Sequence, residues 1–331
     1  MSVLYVLLDG AEDHPIPAFG GKKPLDVAHM PFMKSRVVSK GSTQGCEYTH
    51  IFLSHFFTGR EPTHPRAVLE AVGLGLDVKG RTAYRLSPAL IDDGMINWCY
   101  NAHEFSHLLI PAVERNMHRL DAYDPQIRFF LNGRAVITMD WDIVPELPAP
   151  PMPAPFVEVP GALGEMVMAV AEELDGITNY PWGCGRPGDI VKPHPQFRNL
   201  TAISDSPTPL GLCASFGFDF RLVEDIDDRF PLAREALGKG DVFLHMDEID
   251  EYSHQKDPRK KVGVLEHIDK RMAEHFGDVE RIVYIVDHGT SSVTGEHIAC
   301  EVPFWTTFET PAHGRKISPS RLVPEIFKSV S

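Results

Sequence analysis

The stretch Arg281-Ile-Val-Tyr-Ile-Val-Asp287-His288-Gly-Thr290 is an apolar, β-rich run that ends abruptly in an acid and an imidazole. Its pattern predicts a buried strand. Polar ligands gather where the strands of an α/β sheet end, so Asp287 and His288 suit a metal site. The same pair also suits a hydrogen-bonded turn. The rest of the chain must decide between these two readings.

Two other apolar runs end in the same kind of residue. Asp9 follows Val3–Leu8, and an acid and an imidazole follow Val242–Met246. Because the carboxyl ends of parallel strands open on one side of a sheet, we expect these side chains to converge. The converging set is three acids and three imidazoles: Asp9, Asp250, Asp287, His254, His288 and His297. That mixture of ligands predicts two divalent metals of the zinc or manganese kind.

Each of these residues also has an ordinary structural explanation. Asp9 alone could be a helix cap. His254 and His297 alone are typical of solvated loops, and Asp250 lies in an acidic cluster, 247–251, that could be a solvated face. The complete set is much harder to explain by such separate roles.

Composition limits the class of protein. The chain has 331 residues, enough for about two domains, and is 43% hydrophobic and 24% charged, as soluble enzymes are. Its net charge of −14 argues against a nucleic-acid partner, which needs a basic surface. The five cysteines are odd in number and widely spaced without a C-x-x-C pair, so neither a disulfide framework nor a zinc ribbon is expected.

The N-terminal segment 1–10 has no basic region before its apolar run and reads as a first strand rather than a signal peptide. No apolar run is long enough to span a membrane. We therefore expect no membrane partner and a cytoplasmic location, which the reduced cysteines also favour.

The order of elements predicts an α/β fold with an insertion. Strands alternate with helices at both ends of the chain, which implies one parallel-sheet domain. Hairpin signals at Asp92-Asp93-Gly94 and Asn132-Gly133 imply an inserted α+β unit. Segment 145–160 holds seven prolines and should be an extended connector. Segment 41–47 is expected to be a small-residue loop, followed by a short helix over Tyr48–Phe57.

Several motifs give the chain a family resemblance. It resembles the cofactor-independent (2,3-bisphosphoglycerate-independent) phosphoglycerate mutases of the archaeal type, within the alkaline phosphatase superfamily. The resemblance covers most of the chain, and its metal motifs are specific in order and spacing. The matching stretches are Leu7–Gly10, Gly20–Leu25, Gly59–Pro62, Leu69–Gly75, Pro181–Pro187, Asp250–His254, Asp287-His288 and His297–Pro303.

The resemblance implies a fold and a ligand set. It implies a doubly wound, mostly parallel sheet with an alkaline phosphatase-like core at residues 1–78 and 199–331, and an inserted α+β cap domain at 79–198. It assigns one metal to Asp250, His254 and His297. It assigns the other to Asp9, Asp287, His288 and the nucleophile.

The chain departs from the family at the nucleophile. The family serine stands in a Gly-Ser-Asp loop, and the matching residues here are Gly45-Cys46-Glu47. We expect Cys46 to be a nucleophile or a metal ligand, because two metals could hold it as a thiolate, which would favour zinc or iron over manganese. Alternatively, Cys46 is a small buried residue and metal-bound water attacks, or the hydroxyls of Ser42 and Thr43 serve instead. His50, in the same match, is implied as a substrate contact.

The second departure concerns the substrate. The mutases bind phosphoglycerate with several arginines, and Arg85 matches one of them, as a catalytic and substrate-binding residue. The arginine-rich stretch expected after Gly94 is instead Ile96-Asn-Trp-Cys-Tyr-Asn-Ala. Of the remaining candidates, Arg186 is predicted to bind substrate, and Lys192 and His194 stay open. Each alone would more often be a surface charge.

These observations predict a two-metal enzyme, phosphatase or phosphomutase-like, that transfers a phosphoryl group of a small anionic metabolite other than 3-phosphoglycerate. The metals expected are zinc or manganese, with iron as a further option. One alternative is a metal-hydroxide hydrolase of a phosphonate, sulfate or other ester. Another is a catalytically silent metal- or metabolite-binding relative. A homo-oligomer is left open.

Overall fold

The computed structural model describes residues 2–328. The chain divides into two compact units: one runs up to Pro62 and resumes at Val191, and the other is Thr63–Ile190. We call them the core unit and the inserted unit. The sequence placed the insertion at 79–198, so its bounds differ from those of the compact units, and its role as a cap stays a prediction.

The strands, in chain order, are β1 (Leu4–Leu8), β2 (Ser39–Gln44), β3 (Thr82–Asp92), β4 (Met95–Trp98), β5 (Gln126–Phe130), β6 (Arg134–Met139), β7 (Ala154–Pro155), β8 (Ile177–Gly185), β9 (Thr201–Ser204), β10 (Asp219–Leu222), β11 (Val242–Met246), β12 (Ile282–Ile285), β13 (Gly289–Thr290), β14 (His297–Ile298), β15 (Glu301–Thr306) and β16 (Lys316–Ile317).

The α-helices are α1 (Pro24–Val27), α2 (Pro31–Arg36), α3 (Thr49–Thr58), α4 (Arg66–Gly73), α5 (Ser106–Asn116), α6 (Gly161–Glu173), α7 (Pro207–Ser215), α8 (Ile226–Leu237), α9 (Glu248–His254), α10 (Pro258–Phe276) and α11 (Leu322–Ile326). Within the described residues, none is long and apolar enough to cross a membrane.

The core unit is built on a sheet with the order β10-β9-β11-β1-β12-β15-β2-β16. The strands from β10 to β12 are mutually parallel, whereas β15 runs antiparallel to β12 and to β2. Every residue of β1 is buried, as expected for a strand covered on both faces. The predicted α/β class with a mostly parallel sheet is confirmed.

Register places the acids together. In β1, Leu8 pairs with Met246 of β11, and Leu7 pairs with Ile285 of β12. Asp9 therefore leaves the sheet beside the residues that follow β11 and β12. The sequence predicted this convergence from the apolar runs alone.

The expected loop at 41–47 is wrong over most of its length. Ser39–Gln44 is strand β2, which pairs with β15 in antiparallel register from Ser39↔Thr306 to Gln44↔Glu301. The segment lacks the alternation of apolar and polar residues that predicts a strand. Its strand conformation follows instead from backbone hydrogen bonds to β15. The helix expected after it is present as α3.

The inserted unit contains an antiparallel sheet with the order β5-β6-β3-β4-β7, and β8 pairs with β3 as well. Both predicted hairpins, β3–β4 and β5–β6, are present. Asp93 and Gly94 have φ angles of 45° and 70°, the left-handed conformation that a tight hairpin turn requires.

A buried ion pair links α4 to β3 in the inserted unit. Arg85 Nε lies 2.8 and 2.7 Å from the two carboxylate oxygens of Glu70, and the guanidinium also donates to Ser87. Arg66 Nε donates to the same carboxylate at 2.8 Å. The guanidinium of Arg85 stacks 4.4 Å from the Trp182 ring. Arg85 is thus fully engaged within its own unit.

Candidate metal centre

Gly10 shapes the chain directly after Asp9. Its φ of +61° is left-handed, and a Cβ on it would lie 2.4 Å from Asp250 Oδ1. Only glycine has both the backbone freedom and the missing side chain that this position needs. The β1 strand end can therefore pass directly beside the Asp250 carboxylate.

The first ligand group comprises Asp250, His254 and His297, whose candidate ligand atoms all lie within 4.8 Å of one another. Asp250 and His254 stand one turn apart in α9, with Oδ2 and Nε2 separated by 3.0 Å. His254 Nδ1 lies 2.8 Å from the Gly295 carbonyl oxygen, and His297 Nδ1 lies 2.7 Å from that of Glu47. If each Nδ1 donates to its carbonyl, each Nε2 carries the lone pair that a metal ion would accept.

The second group comprises Asp9, Asp287 and His288, again within 4.8 Å of one another. His288 Nε2 lies 3.1 Å from Asp9 Oδ1 and 3.4 Å from Asp287 Oδ2. Gly10 N–H donates to Asp287 Oδ1 at 3.2 Å. Asp287 Oδ2 is buried and accepts no hydrogen bond from any described residue. A buried carboxylate oxygen without a donor fits a site that a cation completes.

The two groups are neighbours. The ring centroids of His288 and His297 lie 4.4 Å apart, and those of His254 and His297 lie 5.1 Å apart. Thr290 Oγ1 donates to Asp250 Oδ1 at 2.5 Å and lies 3.1 Å from His288 Nδ1. The two groups therefore lie side by side and consist of residue types that bind divalent ions.

Carboxylates crowd one another in the cluster. Burial, followed by neighbouring Asp9, raises the pKa of Asp287 to about 7. Burial alone would lower the pKa of His288, but Asp287, Asp250 and Asp9 outweigh it and raise the value to about 10. Burial lowers the pKa of His297 to about 4, so this imidazole is neutral and can donate a lone pair. The raised pKa of Asp287 reflects carboxylates held close together in a buried site, a repulsion that a bound cation would relieve.

A third group was missed by the sequence analysis. Asp9, His245 and Asp247 also place ligand atoms within 4.8 Å of one another. His245 Nε2 lies 2.7 Å from Asp9 Oδ2, and its Nδ1 lies 2.7 Å from Ser204 Oγ. The available signal was a histidine inside the otherwise apolar strand β11. Asp247 belongs to the acidic cluster that could have been a solvated face, yet its side chain is only 14% exposed.

Lys261 supports the loops around the centre. Its buried Nζ donates to the carbonyl oxygens of Gly10, Glu12 and Thr290 at 2.9, 3.2 and 2.7 Å, and pairs with Asp13 Oδ2 at 3.2 Å. Asp13 Oδ2 also accepts from the backbone and hydroxyl of Ser292. No periodicity could reveal this lysine, because it lies on the buried face of α10 among apolar residues.

The segment of the predicted nucleophile lies beside the second group. Cys46 N–H donates to the Asp287 carbonyl oxygen at 2.9 Å. Its thiol is half-buried, and burial, followed by Asp287 and Glu61, raises its pKa to about 12. None of the three ligand groups among the described residues includes Cys46. The hydroxyl that contacts the cluster belongs to Thr49, which the sequence analysis did not single out.

Thr49 Oγ1 lies 3.3 Å from Asp9 Oδ2 and 3.4 Å from His288 Nε2. His50 follows it in α3 and is half-buried. The alternative hydroxyls, Ser42 and Thr43, lie within β2, where their backbones pair with β15 and β16.

The predicted basic substrate residues have other partners. Arg85 holds Glu70, and Arg186 donates from Nε to Thr82 at 3.0 Å and pairs with Asp142. Lys192 and His194 lie outside the inserted unit, and the His194 backbone donates to the Phe57 carbonyl at 2.7 Å. Their substrate roles stay predictions.

Residues 228–317, which include five of the six acids and imidazoles predicted as ligands, match the Metalloenzyme superfamily. The chain carries a metalloenzyme superfamily domain.

Relatives over nearly the whole chain are archaeal. The 2,3-bisphosphoglycerate-independent phosphoglycerate mutase of Methanothrix thermoacetophila is 22% identical, over 92% of this chain and 90% of that protein. The enzyme of the same name from Thermococcus kodakarensis is 27% identical, over 91% and 86%. The predicted relationship to this group of metal-dependent enzymes is confirmed.

Solved structures support the fold. A Pyrococcus horikoshii protein matches with a TM-score of 0.69 and 20% identity, over 98% of this chain and 96% of that one. A cofactor-independent phosphoglycerate mutase from Thermoplasma acidophilum matches with a TM-score of 0.57 and 16% identity, over the full length of both chains.

Proposed function

We propose that this metalloenzyme superfamily member transfers the phosphoryl group of a small anionic metabolite, using two divalent metals. The observation that carries the proposal is the adjacency of the two ligand groups, which meet at His288 and His297. The relationship to phosphoglycerate mutases supports phosphoryl chemistry. Bound divalent ions would polarise phosphoryl oxygens and offset their charge.

Each group has a part in this proposal. Asp250, His254 and His297 would hold one ion, and Asp9, Asp287 and His288 the other. The chain keeps these ligands oriented through outer partners: carbonyl oxygens at Nδ1 of His254 and His297, Thr290 at Asp250, and His245 at Asp9. Carboxylate and imidazole ligands suit zinc or manganese, and a thiolate from Cys46 would favour zinc or iron.

The substrate is proposed to differ from 3-phosphoglycerate. Several arginines are absent from the stretch after Gly94, and the two retained candidates, Arg85 and Arg186, are tied to Glu70 and Asp142. A substrate with fewer anionic groups than phosphoglycerate would need fewer arginine contacts. The acidic residues around Asp247 would also repel a carboxylate group of a substrate bound near them.

Two side chains are candidates for the attacking group: Cys46, predicted from the sequence, and Thr49, which contacts the cluster. Direct attack by water is a second candidate mechanism. The raised pKa of Cys46 supports it, because a protonated thiol is a poor nucleophile. In that mode water attacks directly, and a phosphonate, a sulfate or another ester becomes a candidate substrate.

Metal analysis tests the metal site. We expect purified protein to bind divalent metal and Asp287→Ala to weaken that affinity by at least about 100-fold, as losing a direct ligand should exceed the 10–100-fold effect of an outer partner. Asp278→Ala, which removes an exposed surface carboxylate paired with Arg234, serves as the matched control. Absence of metal binding by the wild type, or an unchanged affinity in Asp287→Ala, would refute the proposal.

Phosphorus NMR on a panel of phosphorylated metabolites tests the reaction. Release or migration of a phosphoryl group by the metal-loaded protein supports the proposal. Turnover restricted to phosphonates or sulfate esters would select the hydrolase alternative. Tight binding of a metabolite without any turnover would instead indicate a silent binding protein.

A further inference from the structure

Thr49 occupies an unusual position for a helical threonine. It is the first residue of α3, is buried with 9% exposure, and its hydroxyl oxygen lies 3.3 and 3.5 Å from the two Asp9 oxygens. The same oxygen lies 3.4 Å from His288 Nε2. The hydroxyl therefore stands among ligands of the second metal group.

Ordinary structural roles do not account for these contacts. A buried threonine in a helix commonly donates to a carbonyl one turn back, as Thr58 of the same helix does to Ser54 at 2.7 Å. Thr49 instead faces Asp9 and His288. Its distances exceed the 2.7–2.8 Å typical of O–H···O bonds, so the hydroxyl is placed without being tightly engaged. Catalytic contacts are often long in this way before substrate binds.

The surroundings of Thr49 suit a phosphoryl group. Helix α3 has ten residues and begins at Thr49, so its N-terminal dipole points positive charge toward an anion attached there. Cys46, by contrast, has no place in the ligand groups of the described residues.

We propose that Thr49 Oγ1, rather than Cys46 Sγ, accepts the phosphoryl group during turnover. This inference rests on the proposed phosphoryl-transfer function. The Oγ1–P bond forms as the bond between phosphorus and the leaving oxygen breaks, and the hydroxyl proton ends on the leaving group, which departs as an alcohol. Water then cleaves the Oγ1–P bond, restores the hydroxyl and releases phosphate, or a second substrate hydroxyl takes the phosphoryl group instead.

Rapid acid quench of the metal-loaded protein with p-nitrophenyl phosphate, followed by peptide mass spectrometry, tests the inference. We expect a phosphoryl adduct on Thr49 in the wild type and at the same position in Thr49→Ser. Thr49→Val should lose the adduct and at least about 100-fold in turnover, as nucleophile removal does, while keeping its metal content. Thr58→Val, a matched change at the other end of α3, should keep the adduct and the turnover.

The outcomes separate two failures. An adduct on Cys46, or full turnover by Thr49→Val, would refute the role of Thr49 but remain consistent with the proposed phosphoryl transfer. If metal-loaded wild type cleaves neither p-nitrophenyl phosphate nor any phosphorylated metabolite, the proposed function fails and the Thr49 role fails with it. Should Thr49→Val not fold, the adduct position in Thr49→Ser still decides.

Discussion

Replacing Arg85 by methionine distinguishes a structural arginine from one that binds substrate. The side chains of Arg85 and Glu70 are 5% and 1% exposed, and Arg85 Nε lies within 2.8 Å of both Glu70 oxygens. Removing one partner of such a pair leaves a buried charge and costs about 3–5 kcal/mol. Arg66, whose side chain is 20% exposed, still pairs with Glu70 in the variant. We therefore expect Arg85→Met to lower the free energy of unfolding by about 3 kcal/mol, the lower end of that range.

The assay is urea unfolding followed by tryptophan fluorescence. Trp98, Trp141 and Trp182, three of the four tryptophans, belong to the inserted unit, so the signal reports mainly on that unit. Arg115→Met, at an exposed ion pair with Glu173, is the matched control and should change stability by less than about 1 kcal/mol.

Two further variants sharpen this result. Arg85→Met combined with Glu70→Leu should recover most of the loss, because an apolar pair replaces a broken ionic one. The loss in free energy of unfolding caused by Glu70→Gln should depend on pH. Burial would raise the pKa of Glu70, but Arg85 and Arg66 outweigh it and lower the value. The stabilisation is therefore full above the ordinary pKa of 4.5 and is lost as pH falls through the lower folded-state pKa.

The reasoning would be wrong if Arg85→Met unfolds like the wild type while its KM for a phosphorylated substrate rises. That pattern would assign Arg85 to the substrate, as the family resemblance predicts. A loss of stability with KM unchanged would assign it to the framework of the inserted unit.

Two other substitutions probe the core unit. Gly10→Ala should weaken metal binding, measured by calorimetry, because the added Cβ would displace the Asp250 carboxylate. The control is Gly217→Ala, at φ +78° with open space around it, which should cost only about 1 kcal/mol of stability and leave metal affinity intact. Equal metal affinities in the two variants would contradict the reasoning. Lys261→Met should lower the free energy of unfolding by about 3–5 kcal/mol, because it removes the cation paired with buried Asp13 and a donor to three carbonyl oxygens. The exposed Lys260→Met should lower it by less than about 1 kcal/mol. A Lys261→Met variant as stable as Lys260→Met would show that the loops hold without the lysine.

The central sheet was predictable because a strand covered on both faces must be apolar throughout. Val3–Leu8, Val242–Met246 and Ile282–Val286 carry that pattern, and the polar residues directly after them mark the sheet edge. The sequence alone therefore predicts that Asp9, Asp287 and their partners lie together.

Other features depend on partners distant in the chain. Strand β2 has few apolar residues and is defined by its pairing with β15. His245 and Lys261 are polar groups on buried faces, where their partners come from loops far away in sequence. Thr49 gains its significance from the position of α3, which no local pattern specifies.

The position of β1 between β11 and β12 has a consequence for how the chain is made. Both neighbours of this wholly buried strand come from the last hundred residues, so on the ribosome Leu4–Leu8 must wait through most of synthesis without a partner. During that time its apolar side chains are open to aggregation or to a chaperone. The ligand groups are completed in turn at Asp247, His288 and His297, so the candidate metal centre is assembled late in synthesis.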